Sequence, residues 1–525
     1  MGKITKLFRN KLIGLLIVLS TSGLLGMLIA VVSPGDFLSG AWRSTLYILV
    51  LAILFYVVHR YLQIPQKILL IAIFTFLMRI GIGIWLTNSI PVIGFDTEVQ
   101  NAGYIYSDAY ERDRVSYMVA FPERWDDFDP KNYQGMDQYG GLTTISAVIY
   151  RVFSSDVHRP LLMVFLSAFF MSLGIPFLWS AVKNIWTERI GFFACIVMAV
   201  YPEGIILGSS QMREPLLIGL AAISFWMIIV FSMGCRRFLL IASFVIISLF
   251  TCWISLPGGL VILMVEVGYI LIKIIDDQHD VRRKRVISIA FAGLLLVSVI
   301  AGWLWLKDTL YYDSFVTESE SGLIAYILDI VGKGLRFPFV LLYGLIQPVL
   351  PAALVYQTLP IWKAIAIFRA TGWYIAIPFL IYGIVSVYRF SKREKSWGLF
   401  WLIAILVIWI LVSSARAGGD LWDNPRYRAI FLPWLALTIG WVWDYLTRSK
   451  ATWFWRIVIL EVVFVALFTN WYITRKIGAG VHIPVQYLLI SYVLFTIGVI
   501  VVGILVDRKR VKTKTDLKQK STKKI

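Results

Sequence analysis

A chain of 525 residues that is 59% hydrophobic, with 21 Trp and a mean hydropathy of +0.77, carries more apolar surface than a soluble core can hide. The net charge of +19 would suit nucleic acid, but the excess sits in short loops between apolar runs and in the tail DRKRVKTKTDLKQKSTKKI. Membrane topology explains that distribution with no nucleic-acid partner. Three Cys and four His, scattered and without CxxC or HExxH spacing, argue against a disulfide framework and a dedicated zinc site.

The opening MGKITKLFRNK leads into an apolar run too long for a signal peptide, with no small-x-small site before VVSPGDF. It reads as a first membrane helix. Further apolar runs of spanning length begin near Ser44, Ile68, Arg159, Arg189, Arg213, Arg237, Gly258, Val286, Arg369, Trp397, Arg428, Thr452 and Val485. With the run from Leu12 they predict an all-α polytopic membrane protein of about fourteen transmembrane helices. The loops HRYLQIPQK, KNIWTER, GCRR, IIDDQHDVRRKR, YRFSKREK and LTRSK are basic or hold a basic cluster. The positive-inside rule places them, and both termini, in the cytoplasm of a multi-pass plasma-membrane protein. Residues 1–506 read as one transmembrane domain, followed by a basic tail, 507–525, whose composition predicts disorder.

Two segments face outward in this scheme, 89–157 and 307–368. Each holds an apolar stretch that does not fit a simple span. GLTTISAVIYRVF (141–153) is short and amphipathic, as an interfacial helix is. GLRFPFVLLYGLIQPVLPAALVYQTLP (334–360) carries Pro338, Pro348, Pro351 and Pro360. Proline-broken backbone at membrane depth must be satisfied by protein or by a water-filled cavity, so both stretches predict half-inserted elements on the outer face.

The unusual polar residues collect on that face. In SDAYERDRVSYMVA (107–120), Asp108 and Glu111 have the spacing of a capping box, and Arg112 lies one turn beyond Asp108. Asp113 falls about 140° away around the helix. A carboxylate at a helix start beside an arginine stays ionised at neutral pH, as a general base must, and helix capping is the plainer alternative. Asp137, Gln138 and Tyr139 precede the Gly140-Gly141 turn. Arg213 and Glu214 open one helix, and Arg426 and Arg428 stand at the mouth of another. Guanidinium forks suit a phosphate headgroup, although interfacial arginines also snorkel to ordinary lipid. Arg79, Glu266 and Glu461 lie inside apolar runs, where ionisable residues are functional candidates; an Arg79–Glu266 pair tying helices together is the structural alternative.

The order of these features resembles the GT-C superfamily of membrane glycosyltransferases, in the bacterial branch related to protein mannosyltransferases and aminoarabinose transferases. SDAYERDRVSYMVA is similar to that family's catalytic block in the first large extracytoplasmic loop. DQYGGLTTISAVIYRVFSSDVHRPLL resembles its juxtamembrane segment, YPEGIILGSSQMREPLL its outward helix start with an acid at Glu214, and NPRYRAIFLP its late basic segment. The familiar Asp-Glu pair is Asp-Ala here, and Asp96 in GFDTE competes with Asp108 and Asp113 for the role of base. The resemblance implies transfer of a sugar from a polyprenyl-phosphate donor to an extracytoplasmic acceptor, with inversion. Asp108 or Asp113 would then be catalytic, and Arg112, Asp137, Gln138, Tyr139, Arg213, Glu214, Arg426 and Arg428 would bind substrate. Some relatives use a divalent metal, Mg or Mn, and others none; these residues do not require one. The rival functions are a transporter or flippase, or a ligase or polymerase, of lipid-linked saccharides. A transporter would need charge lining a path through several spans.

Overall fold

The computed structural model describes residues 2–125, 140–235, 237–320, 333–394, 396–418, 420–449 and 451–522. These are helical throughout, with no strand among them. In chain order the helices are α1 (Gly2–Val32), α2 (Phe37–Leu62), α3 (Gln66–Ile93), α4 (Glu98–Asn101), α5 (Ser107–Ala120), α6 (Gly141–Phe153), α7 (Leu161–Ile185), α8 (Glu188–Val200), α9 (Pro202–Gly208), α10 (Glu214–Ser232), α11 (Phe238–Ile254), α12 (Leu256–Asp277) and α13 (Val281–Glu320). After the gap follow α14 (Arg336–Ile346), α15 (Leu350–Val355), α16 (Pro360–Glu394), α17 (Gly398–Arg416), α18 (Asp423–Ala429), α19 (Leu432–Arg448), α20 (Thr452–Lys476) and α21 (Val485–Thr522).

Among the described residues nine helices are long and apolar enough to cross a bilayer, and two bent pairs, α8–α9 and α18–α19, raise the number to 11. The remaining expected runs are helical too, as α1, α11 and α13. The protein is an all-α polytopic membrane protein. The tail departs from expectation, because α21 continues to Thr522. Its Lys and Gln residues are good helix formers and extend the turn begun in the membrane.

Helices α7 and α10 form the centre, with α3, α8, α9, α12, α16, α17 and α19 around them in one continuous apolar core. Side-chain contacts mark the two ends of the bundle. At one end Lys67 meets Glu188 (3.7 Å), Arg189 meets Asp444 (3.4 Å), and the Trp397 N–H donates to Asp276 (2.7 Å). At the other end Arg159 forks onto Asp156 (2.6 and 2.7 Å) and Arg369 onto Glu203 (2.6 and 3.0 Å). The basic loops cluster at the first end, and α6 and the Pro-rich α14 and α15 stand at the second.

The Arg159–Asp156 fork locks the loop before α7 beneath the turn between α1 and α2. A Cβ on Gly40 would come within 3.1 Å of the Arg159 guanidinium, which would have to give by a few tenths of an ångström to admit it. Arg159 donates to the Asp156 carboxyl and holds it well below the usual carboxylate range, against the opposing effect of burial. A depressed carboxyl stabilises the fold above its unfolded pKa of about 4 and loses that contribution as pH falls through the folded value. Asp156→Asn is therefore expected to melt below wild type at neutral pH. The difference should narrow as the pH is lowered beneath about 4; a gap independent of pH would remove the ion pair as its cause.

Arg79 shows how the bundle tolerates a broken span. Pro202 has no N–H to offer the Met198 carbonyl, and the 56° bend that follows strands its neighbour. The fully buried Arg79 fills the gap, donating to the carbonyls of Met198 (3.2 Å), Ala199 (3.0 Å) and Gly204 (3.2 Å). Gly208 leaves room for it, since a Cβ there would lie 2.6 Å from the Arg79 side chain. The expected Arg79–Glu266 pair is not formed. Glu266 accepts instead from Ser224 Oγ (2.6 Å), between α10 and α12.

Candidate active site

Three elements bring the outward polar residues together. Pro215 in the first turn fixes the start of α10, so Glu214 is its first residue. Asp420 starts α18 by accepting the N–H groups of Trp422 and Asp423, both at 2.6 Å, and Pro433 forces the 73° bend into α19. Burial, and then the nearby Asp423, push the Asp420 carboxyl up. Helix α5 starts from an extended Tyr106 with no side-chain cap, so Asp108 does not cap it. Its carboxylate turns to arginine.

The Asp108 Oδ2 lies 2.9 Å from Arg426 Nη1 and 3.6 Å from Arg112 Nη2. Arg426 also reaches Glu214 Oε1 (3.2 Å) through Nε and Asp423 Oδ1 (3.3 Å) through Nη2. Arg213 adds a fourth arm, 3.9 Å from Glu214. The Asp108 side chain is 42% exposed, Arg213 18% and Glu214 1%, so the cluster has an open rim and a dry floor. All contacts to Asp108 fall on Oδ2, which leaves Oδ1 without a partner among the described residues.

A second charged group stands beside the first. Arg369 forks onto Glu203, also donates to the Trp422 carbonyl (3.3 Å), and lies 4.3 Å over the Trp422 ring. Tyr106 sits against that tryptophan edge to face at 5.6 Å. Its buried hydroxyl has no hydrogen-bond partner among the described residues, and the Arg369–Glu203 and Arg426–Glu214 pairs both bear on it electrostatically.

The other expected residues are placed differently. Asp113 is 3% exposed. It accepts from Tyr104 (2.6 Å) and Tyr150, with His158 Nε2 at 3.0 Å, which ties α5 to α6. Burial first, and the Asp113 carboxylate with it, drive both phenols well above the usual tyrosine range, so they stay protonated and donating. Asp113 does not share Asp108's surroundings. Arg428 does not join the cluster either; it lies 3.9 Å over the Trp373 ring and donates to the Gln347 carbonyl. Two residues apart on one helical turn, Arg426 and Arg428 point to different sides. Asp96 holds Asn101 (2.8 Å) in the exposed turn before α5. Asp137, Gln138 and Tyr139 lie outside the described residues.

Sequence reasoning missed Glu203, Arg369, Asp423 and Tyr106. A signal existed for the first two. Glu203 stands beside a proline between apolar runs, and Arg369 lies nine residues inside α16, not at its start.

No family model matches the chain, and no curated protein matches it in sequence. Among solved structures it is similar to the archaeal oligosaccharyltransferase AglB from Archaeoglobus fulgidus, in complex with an inhibitory peptide and a dolichol-phosphate, at 14% identity and a TM-score of 0.38. That alignment covers 83% of this chain and 54% of the other. The apo form of the A. fulgidus oligosaccharyltransferase gives 14% identity and a TM-score of 0.34, and the form tethered to an acceptor peptide gives 15% and 0.35, each over 82% of this chain and 54% of that one. The chain thus spans about half the length of these structures. The likeness is too distant to carry a functional argument, which rests on the chain's own geometry.

Proposed function

We propose that the protein is a membrane glycosyltransferase that moves a sugar from a polyprenyl-phosphate donor to an acceptor on the extracytoplasmic side, with inversion. The basic end of the bundle then faces the cytoplasm and the Asp108 cluster faces outward. The observation that carries this reading is the half-exposed Asp108, oriented through one oxygen by Arg426 and Arg112 and open at the other, with Arg213 at the rim.

In this mechanism Oδ1 of Asp108 takes the proton of an acceptor hydroxyl as that oxygen bonds to the anomeric carbon. The bond from that carbon to the phosphate oxygen breaks, and polyprenyl phosphate departs with the electron pair. Arg213, engaged only at 3.9 Å, is the arginine free to meet the charge that develops on the phosphate. The Pro-rich segment that forms α14 and α15 would be a wall for the polyprenyl chain. A transporter is less well supported, because Arg79 donates to backbone carbonyls and Glu266 accepts from Ser224, so the two intramembrane charges form no pair with each other.

The test is turnover of a panel of polyprenyl-phosphate sugars by the protein reconstituted in lipid, with wild type beside Arg213→Ala. Wild type should consume at least one donor, and the variant should lose about 10²–10³-fold in kcat, the range for removing one transition-state donor. Folded wild type that turns over none of them would sink the transferase and make lipid-linked transport the next assay.

A further inference from the structure

We propose that Arg426 is the resident cation of this site, neutralising three carboxylates that are spaced for a guanidinium and not for a divalent metal ion. The inference rests on the transferase reading for its catalytic meaning but not for its geometry. Three acids surround the Arg426 guanidinium: Asp108 2.9 Å from Nη1, in hydrogen-bond geometry, and Glu214 3.2 Å from Nε and Asp423 3.3 Å from Nη2 as ion-pair contacts. Arg426 is itself 8% exposed and Glu214 1%, and the second oxygen of Glu214 is buried without a hydrogen-bond partner. Burying a carboxylate is costly unless a cation stands against it, and Arg426 is that cation for Glu214.

Among the described residues no three His, Cys, Asp or Glu side chains lie together closely enough to hold a metal. The acids are instead spread around the width of a guanidinium. One oxygen of each acid is turned onto Arg426, and the three do not converge on a common point, so the site as built does not fit a divalent ion. This also changes the role expected of Arg426. With every nitrogen already facing an acid, it orients Asp108 and neutralises the floor, and Arg213 is left to meet the phosphate. Arg426 is a positioning residue.

The experiment removes the built-in cation and offers a replacement of the same shape. Turnover of Arg426→Ala should fall and recover at least tenfold with added guanidinium, while Mg²⁺ or Mn²⁺ should restore nothing. Wild type should lose no turnover on EDTA treatment. Arg426→Lys keeps the charge without the fork, so it should fold, turn over slowly and gain from guanidinium even if the alanine variant does not fold. EDTA-sensitive wild type overturns the proposal, as does a folded Arg426→Ala that does not respond to guanidinium, or Arg426→Lys with wild-type turnover. A folded Arg426→Ala whose melting temperature rises with guanidinium, in a protein that transfers no sugar, would uphold the resident cation and remove the transferase.

Discussion

Asp108→Asn is expected to lower kcat by about 10²–10⁴-fold, the usual contribution of a positioned general base. The amide keeps the shape of the carboxylate and can still receive Arg426 at one oxygen, but it cannot take a proton. Donor KM should change little, because the variant leaves Arg213 in place. Melting temperature should also stay near the wild-type value, since the side chain is 42% exposed. Asp113→Asn should behave in the opposite way. Its carboxylate accepts from Tyr104 and Tyr150, so the loss should appear first in thermal stability and only then in rate. Measuring kcat, KM and melting temperature on both variants checks the assignment. If Asp108→Asn turns over at the wild-type rate, the base is elsewhere.

Arg369→Gln should destabilise the bundle by about 3–5 kcal/mol, the cost of leaving one member of a buried ion pair alone. The pair is bidentate, with side chains 1% and 3% exposed. In such surroundings, losing one partner costs far more than the fraction of a kcal/mol typical of an exposed pair. The arginine further supports the Trp422 ring and carbonyl. Removing both charges in Glu203→Gln/Arg369→Gln should recover part of the loss, because neither residue is then buried with an unpaired charge. Thermal denaturation of the two single variants and the double variant in one detergent gives the coupling. Additive losses would mean that the ion pair is not the source of the stability.

Most of the helical frame can be read from the sequence, because each apolar run meets a basic loop at one end and a polar one at the other. The breaks are legible as well: Pro202 and Pro433 mark the two bent pairs, and the proline-rich stretch resolves into α14 and α15. The meetings across the fold are not legible. Arg426 and Asp108 are 318 residues apart, and no local pattern states which arginine of Arg-Tyr-Arg will face which partner. Arg79 is the sharpest case. An arginine inside an apolar run invites a search for an acid, but its partners are carbonyls released by a proline more than a hundred residues later. Backbone groups carry no signature in side-chain composition, so such a pairing stays hidden until the chain folds.

Helix α18 joins two parts of the fold that are far apart in the chain. One side of it holds the acids through Arg426, while on the other Asn424 donates to the Gly344 carbonyl (3.0 Å) and Arg428 to that of Gln347. Trp373 takes the carbonyl between them, Leu345, at 2.8 Å. The open C-terminal end of α14 is thus clamped by the same short helix that aims Asp108. The same seven residues therefore tie the Pro-rich stretch to the acids around Arg426, so a graft that exchanged 336–355 without α18 would leave both ends of that tie unmatched.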